Sequence, residues 1–456
     1  MPTVAGDPTT IRPAVIGDGK EKIHMREKLK GIGVLAVASV AIMIAGAPAA
    51  NAETCAAVQG AGSSLQNIAQ KEVWMPGFAS AVTLCAANPL VTYNSTSSGR
   101  GKAQWGYEGG GLKLKESGET SFPAFIGTDL APDAGQITNM GAAGEQPTHS
   151  EGVLTVPVAQ SAISVIVSLP TDCRPKSPSK EAEIEPTLLK EEWEKDLLTI
   201  LQYVKNVECT GSDSAAILLE ARSSNSGTTA GFKRYLDLVA AGAAPWNELT
   251  ETPLKAEEPN WPSEAEKTHL DKCCTKGSEV ASTVLNTPNS SGYADLADAR
   301  HEGFTTKWVD HLNAAKELYL SAIALVKSNT EFESPEETSG GSNCKNATYN
   351  EETRVVKPGA DWSTAQQTNI KTNKAYPICT LTFDLAWNKY DTPALVSQYG
   401  TLAVTEETRN TVRNYLEWVT SGGQSATLKS DHYGELPAGI KTKDKEAFTT
   451  LGLYIK

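Results

Sequence analysis

Two β-branched runs lie almost end to end in this chain, Val153-Leu154-Thr155-Val156-Pro157-Val158 and Ala162-Ile163-Ser164-Val165-Ile166-Val167. Short runs of this composition read as strands. Amphipathic helical stretches alternate with such runs. Leu312, Ala315, Tyr319, Ala322, Ile323 and Val326 fall on one helical face. Near the C-terminus Val412, Tyr415, Leu416 and Val419 do the same, behind an acidic first turn at Glu406 and Glu407. Strands alternating with helices, without an internal repeat, make an α/β protein.

The N-terminal segment stands apart from this pattern. From Met25 the chain carries Arg26, Lys28 and Lys30, then an apolar run from Ile32 to Ala47, then Ala50-Asn51-Ala52. A basic start, a short apolar stretch and an A-x-A site form the three-part pattern of a secretory signal peptide. The run is too short and too rich in Ala and Gly to span a membrane comfortably. Residues 1–52 are therefore expected to be a leader that is cleaved after Ala52, leaving 404 of 456 residues, enough for two domains. The leader takes six of the 41 basic and four of the 54 acidic side chains with it, so the body has a net charge of −15. Nucleic-acid binding needs a basic face, which a body this acidic does not offer. A small anion is still compatible, because helix dipoles and a single Arg can dominate inside a cleft.

All eight cysteines follow the cleavage site, and an even count in an exported chain points to disulfides. Two stretches read as surface excursions: Arg174 to Glu192, rich in Pro, Lys and Glu, and Glu331 to Asp361, rich in Ser, Gly, Asn and Thr. Bonds Cys173–Cys209 and Cys344–Cys379 would each close one of them. Cys273 and Cys274 are adjacent, and each is expected to pair elsewhere because a bond between neighbours is strained. Cys55 lies three residues past the cleavage site without a Leu-x-small signature before it, which favours a soluble exported form over a lipoprotein.

Four segments could carry chemistry. Gly60-Ala61-Gly62-Ser63-Ser64-Leu65 and Ser97-Ser98-Gly99-Arg100-Gly101-Lys102 each precede a helical stretch. Phe125-Ile126-Gly127-Thr128-Asp129 delivers an acid to the C-terminal end of a strand, where α/β proteins place ligands. Ala221-Arg222-Ser223-Ser224-Asn225-Ser226-Gly227-Thr228-Thr229 opens the helix Phe232 to Val239 with an Arg and several hydroxyls. Singly, each Ser or Thr is an ordinary helix cap, Arg222 a solvated charge and Asp129 a turn residue. Together they describe a pocket of helix N-termini, hydroxyls, one acid and one Arg, suited to a small tetrahedral oxyanion. Enzyme motifs fail. The stretch Ser97 to Lys102 lacks the first Gly and final hydroxyl of a P-loop, and no G-x-S-x-G elbow or H-E-x-x-H pair occurs. Without a nucleophile–base pair the chain is read as a non-enzyme with no metal or other cofactor.

The strings GAGSSL, YNSTSSGRG, FIGTDLAP and RSSNSGTT, in that order, resemble those of the substrate-binding proteins of phosphate-specific ABC transporters, which read like GAGATF, YQGIGSSGG, FGASDAPL and R-x-D-G-S-G-T. Thr287 to Tyr293 is similar to the family's TPGSIGY, and the resemblance covers roughly residues 58–440 without the excursions. It implies a two-lobed type II periplasmic-binding-protein fold. Lobe one would be 53–156 plus 380–456 and lobe two 157–379, with crossings near Thr155 to Gln160 and Tyr376 to Phe383 and insertions near 174–192 and 331–361. The implied ligand is inorganic phosphate, and the implied partner a membrane ABC permease that a monomeric binding protein docks transiently. Carried over by position, Ser64 and the Leu65 N–H would hold one phosphate oxygen and Ser98 would add a hydroxyl. Asp129 would accept the ligand's proton, Arg222 would donate charge-assisted hydrogen bonds, and Ser226, Gly227 and Thr228 would supply a helix N-terminus. Two residues depart from the family: Leu65 replaces its Phe, and Ser224 replaces the acid that orients its Arg. A binder of another oxyanion, or a phosphate sensor without a transport role, is the alternative that the same residues allow.

Overall fold

The computed structural model describes residues 52–109, 123–141, 152–177, 179–211, 215–313, 316–322, 324–328, 331–370, 375–390, 392, 393, 396, 405–421 and 425–449. All lie in the unit Asn51–Lys456. The expected leader, through Asn51, lies outside the described residues.

In chain order the strands are β1 Val58–Gly62, β2 Val91–Ser95, β3 Pro123–Thr128, β4 Val153–Ser168, β5 Cys173–Pro175, β6 Glu183–Ile184, β7 Val207–Cys209, β8 Leu218–Arg222, β9 Leu270–Cys274, β10 Ser290–Asp295, β11 Val309–Asn313, β12 Lys316–Ala322, β13 Ala324–Ser328, β14 Glu331–Glu333 and β15 Cys379–Trp387. One mixed sheet runs β2-β1-β3-β15-β4-β10-β8-β9, with β12 on the far end of β4 and β11 beside it. The two strand runs of the sequence are one strand, β4, whose 16 residues are all buried. Its first ten residues, Val153 to Ala162, pair antiparallel with β15, and Ile163 to Ser168 pair antiparallel with β10. β4 is thus common to a first half of the sheet, built on β1, β2, β3 and β15, and a second half, built on β8, β9 and β10.

Parallel pairs β1–β2, β1–β3, β8–β9 and β8–β10 place strand ends on a common edge in each half, with a helix following several of them. In the first half Trp105, just past the helix Ser98–Gln104, stacks on Trp387 of β15 with ring centroids 3.8 Å apart. In the second half Phe232 of the helix Gly227–Val239 stacks on Tyr293 of β10 at 4.8 Å. Offset stacks of this kind add about 1 kcal/mol each beyond the area they bury, and both lie directly behind residues of the site. The helix Glu406–Thr420 buries Val412, Tyr415, Leu416 and Val419, as the sequence period suggests.

Several expectations need correction. The stretch that reads as one helical face from Leu312 to Val326 forms strands β11, β12 and β13; Ala315 and Ile323 of that face lie outside the described residues. Leu318 and Leu320 carry an equally good period-two signal, and an open end of β4 is there to pair with β12 at Leu320, Ser321 and Ala322. Both presumed surface excursions send side chains into the core: Ala182, Ile184 and Leu189 from the first, Cys344 and Val356 from the second. Disulfides Cys173–Cys209 and Cys344–Cys379 form as the excursions suggested, and Cys55–Cys85 is a third. Cys273 and Cys274 bond to each other, contrary to expectation. With the other six cysteines consumed, no other partner is left for them. Among the described residues no helix is long and apolar enough to cross a membrane.

Candidate functional site

The first-half strands end at one edge, and β3 delivers Asp129 there. Its carboxylate is buried and collects four hydroxyls. Oδ1 accepts from Ser63 Oγ at 2.5 Å and Thr382 Oγ1 at 3.0 Å, and Oδ2 from Ser98 Oγ at 3.2 Å and Thr228 Oγ1 at 3.4 Å. A carboxylate has about four lone-pair sites, and this one is fully engaged. Burial pushes its carboxyl above the usual range, against the opposing pull of Ser63, Thr382, Ser98 and the charge of Arg222. A ligand P–OH would reach Asp129 by taking the place of one hydroxyl. The two longest bonds, from Ser98 and Thr228, belong to the side chains that would then turn to the ligand.

Arg222 is the last residue of β8 and is 1% exposed. Its Nη1 donates to Ser64 Oγ at 3.3 Å and its Nη2 to Ser224 Oγ at 3.4 Å and to the Thr275 carbonyl. Nε is buried without a partner. Every acceptor is a neutral oxygen, and among the described residues no carboxylate lies within ion-pair distance. Asp129, Asp298 and Glu279 act on it only through space, while burial pulls its pKa down. Ser224 also donates to the Thr275 carbonyl at 3.1 Å, so the guanidinium is held by neutral groups. The backbone is held too: the Arg222 N–H donates to Tyr293 Oη at 3.4 Å, and that hydroxyl is hydrogen-bonded to Thr229 Oγ1 at 2.7 Å.

The two consecutive serines divide between these clusters. Ser63 serves the acid, whereas Ser64 serves the cation and also accepts from the Gly277 N–H, at 3.3 Å, at the start of the helix Gly277–Asn286. Ser226 caps the helix Gly227–Val239 by accepting from the Thr229 N–H at 3.3 Å. A Cβ on Gly227 would stand 2.7 Å from the Asp129 Cβ, so only glycine lets this helix start come so close to the acid. Leu65 is fully buried, and its carbonyl accepts from Tyr433 Oη.

Ser64, Ser98, Asp129, Arg222, Ser226, Gly227 and Thr228 therefore surround one spot between the halves of the sheet, with Leu65 one residue away. The sequence reading missed Ser63, Thr275, Gly277 and Thr382. Ser63 sits inside a segment already singled out. Thr382 lies mid-strand in β15, and Thr275 and Gly277 follow a cysteine pair, without a local pattern to mark them. Lys102, named in the sequence only as the end of the second segment, is fully buried in an ion pair with Glu257 at 2.8 Å. The arrangement offers converging hydroxyls, two helix starts and a buried guanidinium to an anion, and one carboxylate to a proton.

No protein-family model matches the chain, and no curated protein matches it in sequence. Solved structures do resemble it. A high-affinity periplasmic phosphate-binding protein, PfluDING, is 15% identical over 87% of this chain and 95% of its own, with a TM-score of 0.56. A phosphate-binding protein from Stenotrophomonas maltophilia is 13% identical over 86% and 94%, with a TM-score of 0.53. A human phosphate-binding apolipoprotein is 15% identical over 86% and 94%, with a TM-score of 0.54. The chain has the periplasmic-binding-protein-like α/β fold of these proteins.

Proposed function

We propose that this chain is an exported phosphate-binding protein that captures inorganic phosphate and delivers it to a membrane ABC importer. One observation carries the reading: the Arg222 guanidinium is buried and, among the described residues, has no carboxylate partner. A buried charge left unpaired costs several kcal/mol, and an anion at its free Nε edge offsets that cost. The solved phosphate-binding proteins that share this fold support the same reading. In it the leader is removed after Ala52, lobes 53–156 plus 380–456 and 157–379 close on the ligand, and a monomer docks the permease. Ser64, the Leu65 N–H, Ser98, Arg222, Ser226, Gly227 and Thr228 hold phosphate oxygens, and Asp129 accepts the remaining P–OH.

Asp129 makes the reading specific. Near neutral pH phosphate keeps a proton and sulfate has none. A carboxylate accepts from P–OH but faces only lone pairs on sulfate, in a dry site where repulsion is poorly screened. Titration calorimetry of the mature chain should show phosphate and arsenate binding and sulfate rejected. Asp129→Asn should narrow the gap, because an amide can donate to either anion. Sulfate binding as tight as phosphate binding in the unmutated chain would remove both the role of Asp129 and the phosphate assignment.

A further inference from the structure

Lys102 and Glu257 are both 0% exposed and 2.8 Å apart. They come from opposite halves of the sheet. Lys102 is in the helix Ser98–Gln104, whose first residue touches Asp129. Glu257 ends the helix Pro253–Glu257, and its backbone carbonyl accepts from the N–H of Ser226, the cap of the helix facing Asp129, at 2.9 Å. The pair therefore joins the two helix starts that meet across the site. Alongside it the Gly99 N–H donates to the Asn225 carbonyl at 3.3 Å, and Asn225 Nδ2 to Tyr107 Oη at 3.2 Å. Lys102 Nζ also donates to the Leu130 carbonyl at 3.2 Å and lies 5.3 Å from the centre of the Tyr107 ring.

Taking two charges out of water costs about as much as their attraction returns, so such a pair is poor glue. It is effective at setting register. At 2.8 Å the charges compensate; displaced in a dry contact, each stands alone and uncompensated. When the halves part, both return to water and the penalty vanishes. Only the closed arrangement that brings Nζ onto Oε1 is then tolerated.

We infer that Lys102 and Glu257 are positioning residues that meet only on closure and fix the register in which the two anion-binding helix starts face each other. This rests on the two-lobed phosphate-binding reading above. Lys102→Met strands Glu257 in the closed form alone, so phosphate affinity should fall by about 30-fold or more, with little change in the urea midpoint of the ligand-free chain. Glu257→Gln, which keeps the shape, should act in the same direction. Lys102→Met with Glu257→Met removes both charges and should recover most of the affinity. Unchanged affinity in the single variants, or a urea midpoint that falls in step with affinity, overturns the inference. Small-angle scattering at a phosphate, arsenate or sulfate concentration that compacts the unmutated chain separates it from the phosphate reading. The single Lys102→Met variant should be more open than the double variant whatever the anion, and equal profiles overturn the register role. Failure of the unmutated chain to bind phosphate counts against the function alone.

Discussion

Two buried cations flank the same site and are treated in opposite ways. Lys102 has a carboxylate at 2.8 Å, a carbonyl and an aromatic ring. Arg222 has two hydroxyls and a carbonyl, all neutral, and an idle Nε. Burial is equally complete, so exposure does not distinguish them. What differs is whether the protein has already supplied the opposite charge. A cation satisfied within the chain belongs to the architecture, and in the proposed reading one held in place by neutral oxygens keeps its charge for an anion.

The strongest test removes the second kind. Arg222→Ala should cost about 2–5 kcal/mol of phosphate binding, roughly 30-fold or more. Its urea midpoint without ligand should be unchanged or higher, since a desolvated unpaired charge has gone. Equal losses of stability and affinity, checked by calorimetry and urea unfolding, would place Arg222 with Lys102 and end the distinction. A smaller effect extends the contrast to acids. Asp129 is wrapped in hydroxyls, whereas burial pushes the Asp384 carboxyl up to about 8, with only Gln66 and Gln70 pulling the other way. Between the ordinary carboxylate range and about 8 the folded chain holds a proton that the unfolded chain has released. Stability should therefore fall as pH rises through that window, by at most about 1.4 kcal/mol per pH unit from this group. Asp384→Asn should flatten the slope in unfolding curves at pH 6, 7 and 8, and an identical slope would count against a protonated Asp384. The least effect is expected from Thr382→Val, which removes one of four donors to Asp129. It should cost about 1 kcal/mol of stability and keep the preference for phosphate over sulfate in competition titrations. Loss of that preference would make Thr382 part of the recognition itself.

Much of the site was legible because its parts are local. Ser98 and Ser226 stand at helix starts, where glycines and hydroxyls cluster visibly, and Asp129 ends an apolar strand. The partners that complete each cluster were not legible, because topology supplies them. Thr382 reaches Asp129 from a strand more than 250 residues away, and Thr275 reaches Arg222 because β9 pairs with β8. The misread helix between Leu312 and Val326 has a similar cause. Its apolar residues satisfy both periods, and the free end of β4 decides between them. Lys102 was visible as a charge, but its partner 155 positions later was not.

The strand common to both halves has a mechanical consequence. A 16-residue strand extends about 50 Å, and over its first ten residues it is bonded edge to edge with β15. Any movement of one half against the other flexes a laminated leaf spring, with few soft directions and no slack cord to take up. In the two-lobed reading proposed above, little chain would have to be ordered when the lobes close, so the entropy that ordering a linker would subtract from binding is largely absent.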